Sequence, residues 1–207
     1  KKLYAVGNRT HEKAVTFAEK YQVTKVYGDF HEMFTDPQVD VIYITTPHNT
    51  HIEFVREALK NKKHVLCEKS ITLNSLELEE ALALAKENNV IFAEAMTIWH
   101  MPLYKKLWEL IDAGKTGTYM PDVKEKHAEI ADWLTEGIPA LGKVQMIQLN
   151  FGSYKEYNMK NRFFNMDLAG GALLDIGVYA LSIACSFMDS KPDQILSQVK
   201  FAPTGAD

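Results

Sequence analysis

Short runs of β-branched residues alternate with longer helical patterns over the first half of the chain. The strongest of these runs, residues 39–45, is almost continuously apolar, which predicts a strand in a sheet that is covered on both faces. Alternation of strands with amphipathic helices is typical of βαβ units that build a parallel, doubly wound sheet. The predicted strands span residues 3–7, 39–45, 64–67 and 90–93, and the predicted helices span residues 10–21, 49–60 and 75–87.

The pattern is less regular in the second half of the chain. An amphipathic helix is predicted over residues 101–113, and a long apolar helix over residues 170–188. Residues 143–152 and 194–201 alternate between apolar and polar positions with period two, as in a sheet with one covered face. This order of elements predicts a second, α+β domain with an open sheet.

The composition is that of an ordinary globular protein. Of 207 residues, 46% are hydrophobic and 24% are charged, and the formal net charge is -4, which argues against intrinsic disorder. An isoelectric point near 6.0 with dispersed charges gives no sign of a nucleic-acid surface. No run approaches the ~18 apolar residues of a membrane span, and Cys67 and Cys185 both lie in apolar runs. We therefore expect a cytoplasmic enzyme or binding protein for a small molecule, with no membrane partner and with both thiols buried.

Polar residues follow each predicted strand of the first half. They occupy residues 7–10, 45–51, 68–70 and 94–96, and ligands of open α/β sheets bind beyond the carboxyl ends of the strands. Polar loops at strand ends are also common without any function, so each loop alone is weak evidence. Lys69 directly follows a strand, where partial desolvation fits an amine for acid-base chemistry, although a fully solvated lysine is equally consistent with the spacing.

Two polar residues interrupt the apolar helix that is predicted over residues 170–188. Asp175 and Tyr179 are four residues apart and therefore share one helix face, where they need a partner or a cavity. A structural hydrogen bond and a catalytic role both remain open. His48 and His51 are three residues apart, but no further ligand completes a metal site with a recognised spacing, so we predict no bound metal.

Seven motifs follow one another in the order found in a known family. They are A-V-G-N-R-T, Lys13-Ala14 with Phe17-Ala18, Y-G-D-F-H-E-M, D-P-Q-V-D-V-I-Y-I-T-T-P-H-N-T-H, H-V-L-C-E-K, E-A-M and A-G-G-A-L-L-D-I-G-V-Y. On these motifs the chain resembles the Gfo/Idh/MocA oxidoreductases, and in particular their dihydrodiol-dehydrogenase-like branch. The resemblance covers nearly the whole chain except residues 116–140, and it implies a nicotinamide-dependent enzyme.

This resemblance implies both a fold and a site. The fold is a partial Rossmann domain, residues 1–98, followed by the start of a C-terminal α/β domain, residues 99–207, whose open sheet mediates homodimer formation. The family's catalytic lysine corresponds to Lys69, and its aspartate and its histidine or tyrosine correspond to Asp175 and Tyr179. The implied cofactor-binding residues are Asn8, Arg9, Thr10, Thr45, Thr46, Pro47, Asn49, His51, Glu68 and Lys69.

The implied reaction passes a hydride between nicotinamide and a hydroxyl or carbonyl carbon of a sugar-like or cyclic-diol substrate. In this scheme Tyr179 exchanges the hydroxyl proton, Lys69 polarises the oxygen and Asp175 orients both groups. Arg9 suits the 2′-phosphate of NADP, whereas an acidic residue would suit the ribose hydroxyls of NAD. NADP is therefore the predicted cofactor, and NAD is the alternative.

The chain departs from the family pattern at three places, of which the first and the last favour a second interpretation, a non-catalytic dinucleotide-binding or assembly module. The motifs align from the family's second strand onward, so the first β-α unit with its glycine-rich turn has no counterpart among them. Ser70 stands where the family has a proline. Residues 116–140 are interpreted as a 25-residue insertion between Lys115 and Leu141.

Overall fold

The computed structural model describes residues 2–116, 144–188 and 191–207, with the side chains of residues 112–116 excepted. Internal contacts divide the chain into two units. The first unit contains Lys1–Ala95 and Asn165–Gly170, and the second contains Met96–Phe164 and Gly171–Asp207. The predicted insertion at 116–140 lies outside the described residues apart from Thr116, and the domain boundary after residue 98 stays a prediction.

The first unit alternates strands with helices. A helix that joins two paired strands returns the chain toward the start of the second strand, as a parallel connection requires. A short 3-10 turn, His48–Thr50, leads directly into the third helix. The elements are β1 (Ala5–Gly7), α1 (His11–Tyr21), β2 (Lys25–Tyr27), α2 (Phe30–Thr35), β3 (Val41–Ile44), α3 (His51–Lys60), β4 (His64–Cys67), α4 (Ser75–Glu87) and β5 (Phe92–Glu94).

The strands of the first unit form two parallel sheets. β1 pairs with β2, and β3, β4 and β5 pair in that order. In the second sheet Ile44 lies opposite Cys67, and Cys67 lies opposite Glu94. These parallel sheets with their helices confirm the predicted α/β fold. The sequence pattern did not indicate β2 or α2, because a strand of three residues and a helix of six are too short to show a period.

One face of the three-stranded sheet carries the core of the first unit. Ile42 and Ile44 of β3 are buried in a cluster with apolar residues of α3 and α4. Val41 and Tyr43 point to the other face and are 55% and 54% exposed. The prediction that this strand is covered on both faces is therefore wrong for the described residues, since only alternate positions of β3 are buried.

The second unit contains two longer helices. They are α5 (Pro102–Thr116) and α6 (Val178–Phe187), and a π-helical turn, Leu173–Gly177, leads directly into α6. Phe187 joins the two helices, because its ring lies 6.2 Å from the ring of Tyr104 and 5.0 Å from that of Trp108. Helices are thus present in both predicted places, and the second one begins with a wider turn than the pattern indicates.

Two expectations for the second unit differ from the structure. Residues 144–152 and 194–201, for which the pattern predicts strands, carry no strand among the described residues. A strand needs a hydrogen-bonded neighbour, and a period-two pattern does not supply one. Cys185 is predicted to be buried but is exposed. It lies two residues before Phe187, the buried residue of α6, and therefore points to the opposite side of the helix.

The segment Met166–Phe187 is long and apolar enough to cross a membrane when length and composition alone are considered. It contains 22 residues, its most apolar window has a mean hydropathy of 1.7, and little of that window is buried. Core helices of soluble proteins meet the same criterion. The absence of a membrane partner therefore stays a prediction.

Candidate active site

The carboxyl ends of β3, β4 and β5 lie side by side in the first unit. Hydrogen bonding continues past the strand ends, where the Glu68 N–H donates to the Ile44 carbonyl at 2.9 Å and the Ala95 N–H donates to the Cys67 carbonyl at 2.7 Å. Open α/β sheets bind their ligands at this edge. Three polar loops meet there, formed by residues 45–51, 68–71 and 94–96.

His51 joins two of these loops. It begins α3 and is completely buried. Its Nδ1 lies 2.8 Å from the Ser70 carbonyl oxygen, and its Nε2 lies 2.8 Å from the Thr46 carbonyl oxygen. The Thr50 hydroxyl adds a second attachment to the loop after β3, at 2.9 Å from Thr46 Oγ1 and 2.8 Å from the Pro47 carbonyl oxygen. The predicted ligand-binding residues Thr46, Pro47 and His51 therefore belong to one hydrogen-bonded loop.

Lys69 follows β4 directly and lies next to a fixed carboxylate. The Tyr43 hydroxyl donates a hydrogen bond to Glu68 Oε1, and this bond raises the pKa of Tyr43 to about 12. The backbone N–H of Lys69 donates to Glu68 Oε2 at 3.3 Å. The peptide bond between Lys69 and Ser70 is cis. Glu68 is thus held between the sheet and the backbone of the loop that carries Lys69.

Glu94 ends β5 and contacts the same loop from the other side. Its Oε1 accepts a hydrogen bond from the Ile71 N–H at 3.0 Å. Burial raises the pKa of the Glu94 carboxyl, whereas the hydrogen bond from the Ile71 N–H and the neighbouring His51 and Lys69 side chains act in the opposite direction. A half-buried carboxyl group therefore lies within electrostatic reach of His51 and Lys69 at the sheet edge.

Asn49 carries a polar atom that lacks a protein partner. Its Nδ2 donates to the carbonyl oxygen of Asp167 at 3.0 Å, within the first unit. Its Oδ1 is buried and has no hydrogen-bond partner in the part of the chain that the structure describes. A buried acceptor without a donor costs about 1–3 kcal/mol. The Asn49 amide oxygen is therefore a place where a ligand can supply the missing donor.

The predicted ribose-binding residues follow β1. Asn8 Oδ1 accepts a hydrogen bond from the Thr10 N–H at 2.8 Å, which forms an Asx turn just before α1. Arg9 lies within this turn and is exposed. An exposed guanidinium that the local backbone presents to solvent is suited to bind a phosphate group.

Asp175 and Tyr179 lie in the second unit. Asp175 belongs to the π-helical turn, and its Oδ1 lies 3.2 Å from Nη2 of Arg162. Tyr179 belongs to α6, and its ring centroid lies 5.5 Å from that of Phe151. The change from a π-helical to an α-helical turn between these residues alters their angular spacing relative to the single α-helix that the pattern predicts.

A cavity of about 350 Å³ borders Asp175 in the second unit. This volume is within the range of small-molecule sites. Its polar lining includes Lys155, Asp175 and Asp207, and Asp207 Oδ2 accepts a hydrogen bond from the Leu173 N–H at 2.6 Å. The cavity therefore combines a cationic group with carboxylates, which is a lining able to bind a polar, hydroxylated molecule.

The described residues give little support for a nucleophilic cysteine or for a metal centre. Burial raises the pKa of the Cys67 thiol to about 12, so this cysteine is protonated at neutral pH and a poor nucleophile. Among the residues that the structure describes, no group of three or more His, Cys, Asp or Glu side chains could hold a metal ion. The absence of a bound metal stays a prediction.

Comparison with known proteins matches both halves of the chain to one family. The model of an oxidoreductase family with an NAD-binding Rossmann fold matches residues 1–96, and the GFO/IDH/MocA C-terminal domain matches residues 127–207. The chain belongs to the Gfo/Idh/MocA oxidoreductase family. The resemblance in the sequence motifs is thereby confirmed.

This Gfo/Idh/MocA chain is similar to curated dehydrogenases. It is 32% identical over 204 residues to trans-1,2-dihydrobenzene-1,2-diol dehydrogenase of Xenopus laevis, an alignment that covers 98% of this chain and 54% of the relative. It is 35% identical over 162 residues to D-xylose 1-dehydrogenase (NADP(+)) of Hypocrea jecorina, which covers 76% of this chain and 36% of the relative. The chain spans about half the length of the first curated relatives it matches.

A solved structure extends the comparison to the fold. A 3-ketoreductase from Actinomadura kijaniata, in complex with NADP and TDP-benzene, matches with a TM-score of 0.65 at 23% identity. The match covers 90% of this chain and 49% of that chain. At this level of identity the likeness shows the fold alone, and it supports the predicted combination of a Rossmann domain with a further domain.

The sheet edge of this Gfo/Idh/MocA chain fits the nicotinamide cofactor of its Rossmann domain. Polar loops follow the carboxyl ends of three parallel strands, where dinucleotides bind. The buried Asn49 Oδ1 lacks a donor, and the amide and ribose hydroxyls of the cofactor are donors. Which of the ten implied residues contact the cofactor stays a prediction.

Some residues of the site are not evident in the sequence. Glu94 lies in a predicted strand-end loop, but its contact with Ile71 spans 23 residues and has no local signal. Arg162 precedes its partner Asp175 by 13 residues in a stretch without a predicted element. The polar character of Glu94 and Arg162 is only a weak sign of a role in the site. Both residues are identified by their contacts with residues that are distant in the sequence.

Proposed function

We propose that the protein is an NADP-dependent oxidoreductase that acts on a hydroxyl-bearing carbon, or on the matching carbonyl, of a sugar-like or cyclic-diol substrate. A bound nicotinamide supplies the hydride acceptor or donor. The observation that carries the proposal is the convergence of three polar loops, one of them with Lys69, at the carboxyl edge of a parallel sheet in a Gfo/Idh/MocA chain. By their names, the similar dehydrogenases act on a cyclic diol and on D-xylose.

In this proposal three side chains handle the oxygen and the proton of the substrate. Oxidation removes a hydride from the carbon and a proton from the hydroxyl group. The Lys69 ammonium donates a hydrogen bond to the substrate oxygen. Tyr179 in its phenolate form accepts the hydroxyl proton in oxidation, and as a phenol it returns this proton in reduction. Asp175, which Arg162 contacts, holds the reacting groups in orientation through hydrogen bonding.

The choice of NADP over NAD depends on Arg9. Its guanidinium is exposed in the Asx turn after β1, with no carboxylate among residues 7–10. A carboxylate is the side chain that pairs with the ribose hydroxyls of NAD, whereas a guanidinium pairs with a 2′-phosphate. Among the relatives, the D-xylose dehydrogenase carries NADP in its name.

Turnover of a panel of aldoses and cyclic diols, followed through the absorbance of the reduced nicotinamide, tests the proposal. We expect oxidation of at least one substrate, with a kcat/KM for NADP at least about tenfold above that for NAD. Binding of NADPH without turnover of any substrate would favour the non-catalytic dinucleotide-binding or assembly module instead. Failure to bind either cofactor would contradict both the oxidoreductase and the dinucleotide-binding module and would leave the assembly module.

We also propose that the protein forms a homodimer through its C-terminal domain and acts in the cytoplasm, without a nucleic-acid or membrane partner. Light scattering after gel filtration measures the mass of the particle, which we expect to be twice that of the chain. Co-sedimentation with lipid vesicles tests the apolar segment Met166–Phe187, and we expect the protein to stay in the supernatant.

A further inference from the structure

Both ring nitrogens of His51 face groups that only accept hydrogen bonds. Nδ1 lies 2.8 Å from the Ser70 carbonyl oxygen, and Nε2 lies 2.8 Å from the Thr46 carbonyl oxygen. A neutral imidazole has one N–H, so one of these contacts would bring two lone pairs together without a proton between them. The ring is fully buried, and water cannot relieve such a contact. An imidazolium, which has two N–H groups, satisfies both carbonyl oxygens.

We propose that His51 is a buried imidazolium that positions Lys69 by bridging the loops that follow β3 and β4. Ser70 directly follows Lys69 in the chain, so the hydrogen bond to its carbonyl oxygen fixes the backbone that carries the lysine. His51 has both ring nitrogens occupied by backbone carbonyls, which makes it a positioning residue in this proposal. The functional part of this inference rests on the role proposed for Lys69.

The surroundings of the ring can accommodate a positive charge. Glu94, on β5, is close enough for the His51 charge to influence its ionisation, and Glu68 and Lys69 influence the same carboxyl. From the 3-10 turn, the ring of His48 lies edge-on at 5.6 Å from that of His51. A buried cation needs an opposite charge within electrostatic reach, and the Glu94 carboxyl can supply it. Glu94 also holds the Ile71 N–H, so the same loop is attached through charged groups at two neighbouring residues.

The two hydrogen bonds of the bridge end in loops that differ in their relation to Lys69. The loop that contains Thr46 has two further hydrogen bonds from the Thr50 hydroxyl. The Ser70 carbonyl lies in the loop that carries Lys69. We therefore expect loss of the bond to Ser70 to affect the reaction more than loss of the bond to Thr46.

Ring-nitrogen NMR of the protein at pH 7 tests the protonation state without any turnover. With the histidines labelled with nitrogen-15, we expect two protected N–H signals from His51, and the His51→Gln variant assigns them by their disappearance. A single N–H signal with the second nitrogen unprotonated would overturn the imidazolium. This result does not depend on whether the protein is a dehydrogenase.

Two variants separate the two hydrogen bonds. The amide nitrogen of Asn occupies roughly the position of Nδ1, so His51→Asn keeps a donor for Ser70, whereas the longer Gln places its nitrogen near Nε2 and keeps a donor for Thr46. We expect His51→Gln to lower kcat by ~10²-fold at unchanged KM for NADP, because a misplacement of about 1 Å has that consequence. We expect His51→Asn to retain at least about ten times more activity than His51→Gln. The matched pair His100→Asn and His100→Gln, at an exposed position, serves as the control.

Hydrogen exchange of the Ile71 amide gives a second measurement that needs no activity. We expect its protection to persist in His51→Asn and to fall in His51→Gln, because the loop after β4 is released only in the latter. Equal exchange and equal kcat in the two variants would overturn the positioning role. If no substrate is turned over but the NMR and exchange results are as expected, the bridge stands and the proposed function fails.

Discussion

The two units hold their candidate catalytic residues by different means. In the first unit, Lys69 continues a hydrogen-bonded strand and lies beside Ser70, whose carbonyl oxygen contacts the buried His51. In the second unit, Asp175 is held by an ion pair with Arg162, whose side chain is 45% exposed. Buried backbone hydrogen bonds resist opening more than solvated ion pairs do. The position of Lys69 therefore follows from the sheet, whereas the position of Asp175 depends on a short helical turn and a partly exposed ion pair.

The largest effect is expected in the core that supports the first site. Leu59 of α3 is completely buried, so Leu59→Ala removes apolar contacts and leaves a cavity. We expect the free energy of unfolding to fall by ~2–5 kcal/mol in urea denaturation. Leu82→Ala, at a 50% exposed position of α4, is the control and is expected to change it by less than ~0.5 kcal/mol. Equal losses in the two variants would contradict the assigned core.

The next test compares the two units through their proposed catalytic residues. If Lys69 and Tyr179 act as one proton-transfer unit, Lys69→Met and Tyr179→Phe each lower kcat by ~10²-fold or more. The double variant loses little beyond the worse single variant, because groups that act together are not additive. Steady-state kinetics with the best substrate measures these effects.

The controls for this pair are residues of the same type at exposed positions. Lys86→Met on α4 and Tyr21→Phe on α1 are expected to leave kcat unchanged. Additive losses in the double variant would show that Lys69 and Tyr179 act separately. Normal turnover in either single variant would remove that residue from the reaction.

A smaller effect is expected at the cofactor end of the first unit. Removal of the guanidinium in Arg9→Ala abolishes a charge-assisted contact with the 2′-phosphate, so NADPH binding weakens by roughly tenfold or more. NADH has no such phosphate, and its Kd is expected to change little. Titration of the nicotinamide fluorescence measures both constants, and equal weakening of the two cofactors would refute the role of Arg9.

The smallest effect concerns Asp36, which ties β2 to the end of α2. The Lys25 ammonium, at 2.8 Å, and the Tyr27 hydroxyl hold the pKa of the Asp36 carboxyl well below its usual range. Because the folded-state pKa is lower than the unfolded one, this contribution to stability is present above about pH 4 and is lost as the pH falls further.

Thermal unfolding at a series of pH values checks this assignment. We expect Asp36→Asn to lower Tm by a few degrees at neutral pH and to weaken the dependence of Tm on pH below about 4. Asp40→Asn, at an exposed neighbouring position, is the control and should keep the acid dependence of the original protein. An unchanged acid dependence in Asp36→Asn would show that the contact adds no stability.

The sequence predicts most of the first unit because its longer strands and helices carry complete local signals, whereas β2 and α2 are too short to show a period. The bounds predicted for residues 64–67 and 75–87 coincide with β4 and α4. The second unit is less predictable because the alternating segments 143–152 and 194–201 need partner strands that no local pattern provides. The candidate site shows the same difference in predictability. Lys69 is located by its strand, whereas the partners of Asp175 and His51 are set by contacts between residues that are distant in the sequence.

The motif around residues 45–51 shows this limit most clearly. The resemblance places His51 among the cofactor-binding residues, and nothing in the local sequence shows that both of its nitrogens face carbonyl oxygens. The Ser70 carbonyl is 19 residues away along the chain and is brought to the ring by the pairing of β3 with β4. A buried histidine of this kind is identified by its contacts and not by its spacing.

Transfer of a labelled hydrogen tests the proposed function most directly. The protein is incubated with NADP and with aldoses and cyclic diols that carry deuterium on their hydroxyl-bearing carbons, and the reduced nicotinamide is analysed by mass spectrometry. We expect deuterium in NADPH with at least one substrate, and at least ~10²-fold slower transfer with the Lys69→Met variant. Binding of NADP with no labelled NADPH from any of these substrates would contradict the account.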